Sequence, residues 1–178
     1  MNIIEEILMK FSTNNSLYIG EKVTISEHMI QSAMLAEKNS CSDNLICACL
    51  LHDYGHFILD DPDTLVSQKK DGEHEEIAYN YLKDFFVKDV VEPIRYHVKA
   101  KRYLARDKKY FSILSEASKI SLDLQGGVMS DAESIEFQKN NYFDSSIKLR
   151  KFDDGGKKSG LKIKLIEEYK NLLSSKLL

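Results

Sequence analysis

Hydrophobic residues recur at every third or fourth position over most of the chain, which is the spacing of helices with one buried face. Near the N-terminus, one such face consists of Ile3, Ile4, Ile7, Leu8 and Phe11. Alternation of the kind that marks a β-strand is nearly absent, and only two prolines and eight glycines occur. The pattern therefore predicts an all-α fold, a bundle of about seven or eight helices.

Capping residues indicate where the predicted helices begin. Thr24 and Glu27 have the spacing of a capping box, as do Ser130 and Glu133. Pro93 suits the first turn of a helix, because its missing N–H would have no partner there. The predicted helices span about residues 3–11, 24–38, 43–57, 72–86, 93–105, 111–124, a stretch after Ser130, and 160–174.

The segment 43–57 differs from the other predicted helices because it is apolar nearly all round. Such a helix has no face suited to water, so we expect it to be the central buried one. A segment of turn-forming residues, 60–63, follows it.

Composition excludes several classes of protein. With 178 residues, of which 43% are hydrophobic and 30% charged, the chain is typical of one folded domain. No apolar run approaches the roughly 20 residues of a membrane span, and residues 1–10 indicate a helix and not a signal peptide. The three cysteines, Cys41, Cys47 and Cys49, are an odd number and indicate buried thiols of a cytoplasmic protein.

Charge is distributed unevenly between the two halves of the chain. Residues 1–94 contain 7 basic against 17 acidic residues, a net of −10, whereas residues 95–178 contain 18 against 11, a net of +7. A basic half can bind phosphate groups, and its densest part runs from Arg95 to Lys109. Nucleic acid is not an expected partner, because the overall charge is −3 and aromatic residues rarely alternate with basic ones.

The histidines provide the main chemical signal. All five lie between residues 28 and 97, each on a predicted helix or at its end: His28, His52, His56, His74 and His97. A single helical histidine is usually a surface or core residue. Four of these, however, are 24, 22 and 23 residues apart, about one helix plus its connection, so they can converge in a helical bundle.

Two carboxylates extend this set to the ligands of a binuclear metal site. Asp53 directly follows His52 and can bridge two ions, and a further aspartate lies near position 153. Four histidines with two carboxylates exceed the three protein ligands of a usual catalytic mononuclear site. Iron, manganese and zinc all accept such ligands. His56, one helical turn after His52, is either a further ligand or a donor to substrate, and we favour the second role.

The order of these residues resembles the HD-domain superfamily in its binuclear-metal form. Within it, the chain is similar to the PhnZ-like oxygenases, which are related to myo-inositol oxygenase and cleave the carbon–phosphorus bond of organophosphonates. The resemblance covers about residues 18–154 and depends on segments such as SEHMIQSAMLAE, LLHDYGHF, YHVKAKRYL and LRKFDD. It implies a single HD domain whose metal ligands are His28, His52, Asp53, His74, His97 and Asp153.

The resemblance also implies a set of substrate-binding residues. Tyr18-Ile-Gly-Glu21 is similar to a family segment whose tyrosine occupies an iron position in the absence of substrate and whose glutamate receives the substrate's amino group. The family positions that match His56, Lys101, Ser118 and Arg150 imply contacts to the phosphonate. Ser115 and Ser121 lie close to Ser118 in the sequence and are alternatives to it. The expected substrate-binding residues are Tyr18, Glu21, His56, Lys101, Ser118 and Arg150.

Helical spacing supports two of these residues independently. Lys101 lies one turn after His97, so its ammonium can reach an anion held at a metal bound by that histidine. Arg150 and Asp153 are three residues apart and share a helical face, which brings a guanidinium beside a metal ligand. Chemistry does not separate Asp153 from Asp154, and only the Arg-x-x-Asp spacing favours the first.

The implied reaction is oxidative. The resemblance predicts a mixed-valent pair of iron ions, Fe(II) and Fe(III), with O2 as co-substrate and no catalytic side chain beyond the metal centre. The expected substrate is (R)-2-amino-1-hydroxyethylphosphonate, which would yield glycine and phosphate, although Glu21 would also attract a trimethylammonio tail. A separate 2-oxoglutarate-dependent hydroxylase would supply this substrate.

Two other functions use the same residues. A metal-dependent phosphohydrolase acting on a nucleotide or another phosphate ester needs the same ligands and basic residues, but it has no need of the Tyr18–Glu21 pair. A non-catalytic HD module is disfavoured because every expected ligand is present. Oxygen consumption and metal content distinguish these alternatives.

Overall fold

The structure, a computed structural model, describes residues 2–18, 20–59 and 73–178, and all regular elements in this part of the chain are helical. Its ten α-helices are α1 (Ile3–Thr13), α2 (Ile25–Lys38), α3 (Asp43–Leu51), α4 (His74–Leu82), α5 (Lys88–Leu104), α6 (Lys108–Ile113), α7 (Glu116–Leu124), α8 (Asp131–Gln138), α9 (Phe143–Gly155) and α10 (Lys170–Ser174). Two short 3-10 helices span Tyr54–Phe57 and Ile166–Tyr169. The all-α prediction is confirmed, with more and shorter helices than expected.

Five helices form the centre of the fold. α5 packs against α9, α3 and α4, while α2 packs against α3 and α9. From Leu45 to Leu51 every residue of α3 is buried, which confirms its predicted central position. Within the described residues, no helix combines the length and hydropathy that crossing a membrane requires.

The predicted capping boxes are present. The Thr24 side chain accepts a hydrogen bond from the Glu27 N–H, and Ser130 does the same for Glu133. These caps fix the beginnings of α2 and α8 by satisfying N–H groups that have no partner inside the helix.

The start predicted at Pro93 is wrong. α5 begins five residues earlier, at Lys88, and Pro93 lies inside it. An interior proline removes one helical hydrogen bond. The helix nevertheless continues, because Val90, Val91 and Ile94 bury their side chains in the core on either side of the proline.

Three other predicted spans are divided or shortened. The helix predicted over 111–124 is broken between α6 and α7, where Leu114 is extended and Ser115 caps the second helix. The helix predicted over 160–174 is irregular as far as the 3-10 turn that begins at Ile166. The helix predicted over 72–86 ends at Leu82; its first residue, Gly72, and the turn segment 60–63 lie outside the described residues.

The helix predicted over 43–57 also breaks, and this break matters for the site. α3 ends at Leu51, and Asp53 has the non-helical angles φ −102° and ψ 14° before the 3-10 turn begins. His52 and His56 therefore do not share one α-helical face, contrary to the prediction. α9, which carries Arg150 and Asp153, was not among the predicted helical spans, although their spacing implied a helical face.

Candidate metal centre

Two groups of buried side chains have the composition of metal sites. Within the described part of the chain, each group offers three ligand atoms that lie within 4.8 Å of one another. One group is His28, His52 and Asp153, and the other is Asp53, His74 and His97. The structure thus brings together all six ligands predicted from the sequence, one or two from each of α2, the end of α3, α4, α5 and α9.

Asp53 lies between the two groups. Its Oδ2 atom is 3.3 Å from His52 Nε2 and 3.4 Å from His28 Nε2. Its Oδ1 atom is 3.2 Å from His74 Nε2 and 3.6 Å from His97 Nε2. Each oxygen of the carboxylate therefore faces a different pair of imidazoles, which is the arrangement that a bridging ligand of two ions requires.

Backbone carbonyls orient three of the imidazoles. A carbonyl oxygen only accepts hydrogen bonds, so each of these Nδ1 atoms must carry the proton that it donates, and each Nε2 is left as the ligand atom. The acceptors are the carbonyls of Gly156 for His28 at 2.9 Å, Cys49 for His52 at 2.8 Å and Ile94 for His97 at 2.7 Å. These contacts aim the nitrogen lone pairs into the site.

The donor set fits two cations. The Nε2 atoms of His28 and His52 are 3.1 Å apart, as are those of His74 and His97. Two ligands bound about 2.1 Å from one ion, at roughly right angles, lie about 3.0 Å apart. In addition, Asp53 Oδ2 and Asp153 Oδ1 are buried and accept no hydrogen bond from the described residues. A pair of divalent metal ions would satisfy these oxygens and nitrogens together.

Electrostatics keeps both carboxyls ionised. Burial alone would raise the pKa of each, but the His52 side chain lowers the pKa of Asp53 well below its usual range, and Arg150 does so for Asp153. Burial alone would lower the pKa of His28, yet these carboxylates raise it to about 9. A proton can therefore take the place of a cation at His28, so metal binding and protonation compete there.

His56 lies beside the ligands and in neither group. Its ring stacks on that of His74, with centroids 4.4 Å apart and planes 14° from parallel. The 3-10 turn approaches α4 closely because residue 55 is glycine: a Cβ atom there would lie 2.0 Å from the His74 carbonyl oxygen. His56 therefore adjoins the metal-binding groups but reaches them from a separate element.

Tyr18 covers the His28 side of the centre, and Glu21 is hydrogen-bonded to it. The Glu21 N–H donates to the Tyr18 carbonyl at 2.9 Å, which closes a tight turn. Gly20 has a φ of +73°, and a Cβ atom there would lie 2.6 Å from the Ala117 Cβ, so glycine permits both the turn and its contact with α7. The Tyr18 ring stacks on His28 at 4.2 Å, and burial followed by the Asp53 charge raises the pKa of its phenol well above the usual value.

Two basic side chains, those of Lys101 and Arg150, lie next to the same centre. Both are almost completely buried. The Lys101 ammonium donates to Ser121 Oγ on α7 at 2.5 Å and to Oε1 of Gln125, the residue after α7, at 3.0 Å. Burial, and after it the Arg150 charge, lower the pKa of Lys101 to about 7.

Arg150 separates the roles of the two neighbouring aspartates. Its Nη1 donates to Asp153 Oδ2 at 2.6 Å, while Asp153 Oδ1 faces His28 at 3.3 Å. Asp154 instead binds Arg150 Nη2 and the Tyr110 hydroxyl. The structure thus brings Asp153, and not Asp154, into the metal-binding group.

Lys157, which no sequence motif indicated, contacts three predicted substrate residues. Its Nζ donates to Ser118 Oγ at 3.0 Å, lies 3.5 Å from Glu21 Oε1, and lies 5.2 Å from the centre of the Tyr18 ring. Lys157 follows the Gly155-Gly156 pair, for which the sequence predicts a loop before the last helix. The only sequence signal was its position four residues after Asp153.

Comparison with known proteins identifies the family of this chain. The HD-domain family matches residues 25–134. A hydroxymethylphosphonate dioxygenase of Gimesia maris is 44% identical over 85% of this chain and 77% of its own length. A glycine-betaine-forming [1-hydroxy-2-(trimethylamino)ethyl]phosphonate dioxygenase of Leisingera caerulea is 43% identical over 81% of this chain and 74% of its own. The chain belongs to the HD-domain family, and these relatives place it among the oxygenases of that family.

Proposed function

We propose that this protein is a di-iron dioxygenase that cleaves the C–P bond of a 1-hydroxyphosphonate. The observation that carries the proposal is the pair of His/Asp groups joined by Asp53, with Lys101 and Arg150 buried beside them. A phosphohydrolase would use similar ligands. The two relatives named as phosphonate dioxygenases, each more than 40% identical, favour the oxidative reaction.

In this proposal two iron ions, as Fe(II) and Fe(III), bind the two groups of ligands. His28, His52 and Asp153 would hold one, His74 and His97 would hold the other, and Asp53 would be shared between them. When bound, the iron pair would activate O2 and accept electrons from the substrate. Manganese or zinc would suit the same ligands, so the metal content of the purified protein tests this assignment directly.

The chain's own residues bind and orient the substrate. Arg150 and Lys101 would receive the phosphonate oxygens, the first through paired N–H donors and the second as a point charge. Ser118 and His56 would donate further hydrogen bonds to the same group. Tyr18, which stacks on His28 as a neutral phenol, would be displaced from the metal side when substrate enters.

Glu21 would select the substrate's tail. Its carboxylate, three residues after Tyr18, would meet a substituent on C2. We therefore propose (R)-2-amino-1-hydroxyethylphosphonate as the substrate, since an ammonium suits a carboxylate better than a neutral tail does. With O2 it would give glycine and phosphate, a reaction in which every atom of both reactants is found in the products.

The test is anaerobic loading of the protein with iron, followed by addition of three candidate substrates under O2. These are (R)-2-amino-1-hydroxyethylphosphonate, its trimethylammonio analogue and hydroxymethylphosphonate. We expect equal amounts of O2 consumed and phosphate released, with glycine as the product from the first compound. Release of phosphate from a nucleotide without O2 consumption would instead identify a phosphohydrolase.

Two further parts of the proposal concern the cell. A separate 2-oxoglutarate-dependent hydroxylase would supply the C1 hydroxyl group of the substrate. The location would be the cytoplasm, which is consistent with the three cysteines, all within the described residues and all free thiols.

A further inference from the structure

The position of Lys157 is fixed by the metal centre itself. The preceding residue, Gly156, accepts the hydrogen bond from His28 Nδ1 at 2.9 Å. A Cβ atom on Gly156 would lie 2.4 Å from Ser32 Oγ and 2.9 Å from the His28 carbonyl oxygen, so the backbone here lies directly against α2. The chain therefore leaves the centre at one defined point, and Lys157 is the next side chain.

The Lys157 ammonium joins the two sides of the proposed substrate pocket. On one side it donates to Ser118 Oγ at 3.0 Å. On the other it lies 3.5 Å from Glu21 Oε1, and these two side chains are only 12% and 16% exposed. Glu21 Oε1 is buried and accepts no hydrogen bond from the described residues, so its interaction with Lys157 is ionic.

This ion pair has a consequence for substrate selection. A carboxylate that already has an ammonium beside it attracts a second ammonium less strongly, because the first cancels much of its field. The tail of an aminated substrate must therefore displace Lys157 from Glu21. A displaced Lys157 retains Ser118 as a partner, and Ser118 lies on the side where the phosphonate is proposed to bind.

We propose that Lys157 is a specificity-determining residue that sets the preference between charged and neutral substrate tails by competing with the tail ammonium for Glu21. This inference rests on the proposed function, in which Glu21 faces the C2 substituent. It concerns the ratio of the kcat/KM values of two substrates that differ only in the tail. Any attraction between Lys157 and the phosphonate is common to both and cancels from that ratio.

The experiment compares (R)-2-amino-1-hydroxyethylphosphonate with 1-hydroxypropylphosphonate, in which a methyl group replaces the ammonium. The measured quantity is the ratio of their kcat/KM values in Lys157→Met, Glu21→Gln and the double variant. We expect Lys157→Met to raise the ratio in favour of the aminated substrate about tenfold, the effect of one partly buried charge pair. In the Glu21→Gln background, the same lysine substitution should leave the ratio unchanged. Lys158→Met, at an exposed neighbouring lysine, is the matched control.

A binding measurement separates this inference from the proposed reaction. Isothermal titration calorimetry of iron-loaded protein with 2-aminoethylphosphonate and propylphosphonate gives the ratio of the two affinities, without turnover. If Lys157→Met raises the affinity ratio in favour of the aminated compound only when Glu21 is present, the role of Lys157 is supported, whatever reaction the enzyme catalyses. A ratio unmoved by Lys157→Met, or moved equally with and without Glu21, overturns it. Absence of C–P cleavage from every compound would instead reject the proposed function.

Discussion

The metal-binding groups and the basic side chains beside them (Lys101, Arg150 and Lys157, here called the cationic pocket) are both largely buried, but different kinds of atom hold their side chains in place. Three of the ligand imidazoles donate to main-chain carbonyls. In the pocket, Lys101 donates to the side chains of Ser121 and Gln125, and Lys157 contacts those of Ser118 and Glu21. One region is held by the backbone, the other by side chains.

This difference corresponds to what each region must do. A main-chain carbonyl in a packed segment does not rotate freely, so it fixes a ligand's orientation before any ion arrives. A side-chain hydroxyl or amide can rotate, so its hydrogen bond can be exchanged for one to a phosphonate oxygen. We therefore expect substitutions among the ligands to remove function outright and substitutions in the pocket to alter affinity, selectivity or pH dependence.

The largest expected effect comes from a ligand. His74→Ala removes one nitrogen from the second group, so bound iron should fall from two ions per chain to about one, and O2 consumption should disappear. Elemental analysis and an oxygen electrode measure both quantities. The matched control is His56→Ala, which removes the ring stacked on His74 and should retain two ions. Unchanged metal content and activity in His74→Ala would refute the ligand assignment.

Arg150 belongs to both regions and should have the next largest effect. Arg150→Met leaves the buried Asp153 carboxylate without its guanidinium partner, which should lower the free energy of unfolding by about 3–5 kcal/mol. Arg150→Lys keeps the charge but loses the paired donors, so we expect a smaller loss of stability and a raised KM. Urea denaturation of iron-loaded protein measures the first quantity. Equal stability of the native protein and Arg150→Met would contradict the arrangement.

Lys101 should give the enzyme a pH dependence. Its buried ammonium has a pKa of about 7, so in the free enzyme the charge is present below that pH and is lost above it. Because the charged form would bind the phosphonate, kcat/KM should fall as pH rises through about 7, approaching tenfold per unit. Lys101→Arg stays charged and should remove this fall, whereas any titration of the substrate affects both proteins alike. Identical pH profiles would exclude this role for Lys101.

The smallest expected effect concerns the turn that carries Glu21. Gly20→Ala adds a Cβ atom at positive φ and within 2.6 Å of Ala117, whereas Gly127→Ala adds one at a φ of +70° with no atom within 4 Å. The second variant should lose about 1 kcal/mol of stability from backbone strain alone. The first should lose more and also bind substrate more weakly. Equal losses in thermal denaturation would show that the contact with α7 does not constrain the turn.

The sequence predicted which side chains converge better than it predicted the helices that carry them. The spacing of His28, His52, His74 and His97 was sufficient because a ligand needs only to reach a common centre, which the length of one helix and its connection sets. Helix boundaries depended on packing: Pro93 is interior because apolar neighbours on both sides are buried, and α3 stops before Asp53. Local patterns do not contain that information.

The sequence alone determined an all-α chain whose histidines and aspartates recur at intervals suited to one centre. The tertiary structure decided which carboxylate joins the ligands, because Asp153 and Asp154 are chemically identical and differ only in the direction that α9 gives them. It also decided that Lys157 faces Glu21. That contact joins residues 136 positions apart, on segments with no periodic relation, so only the packed chain brings them together.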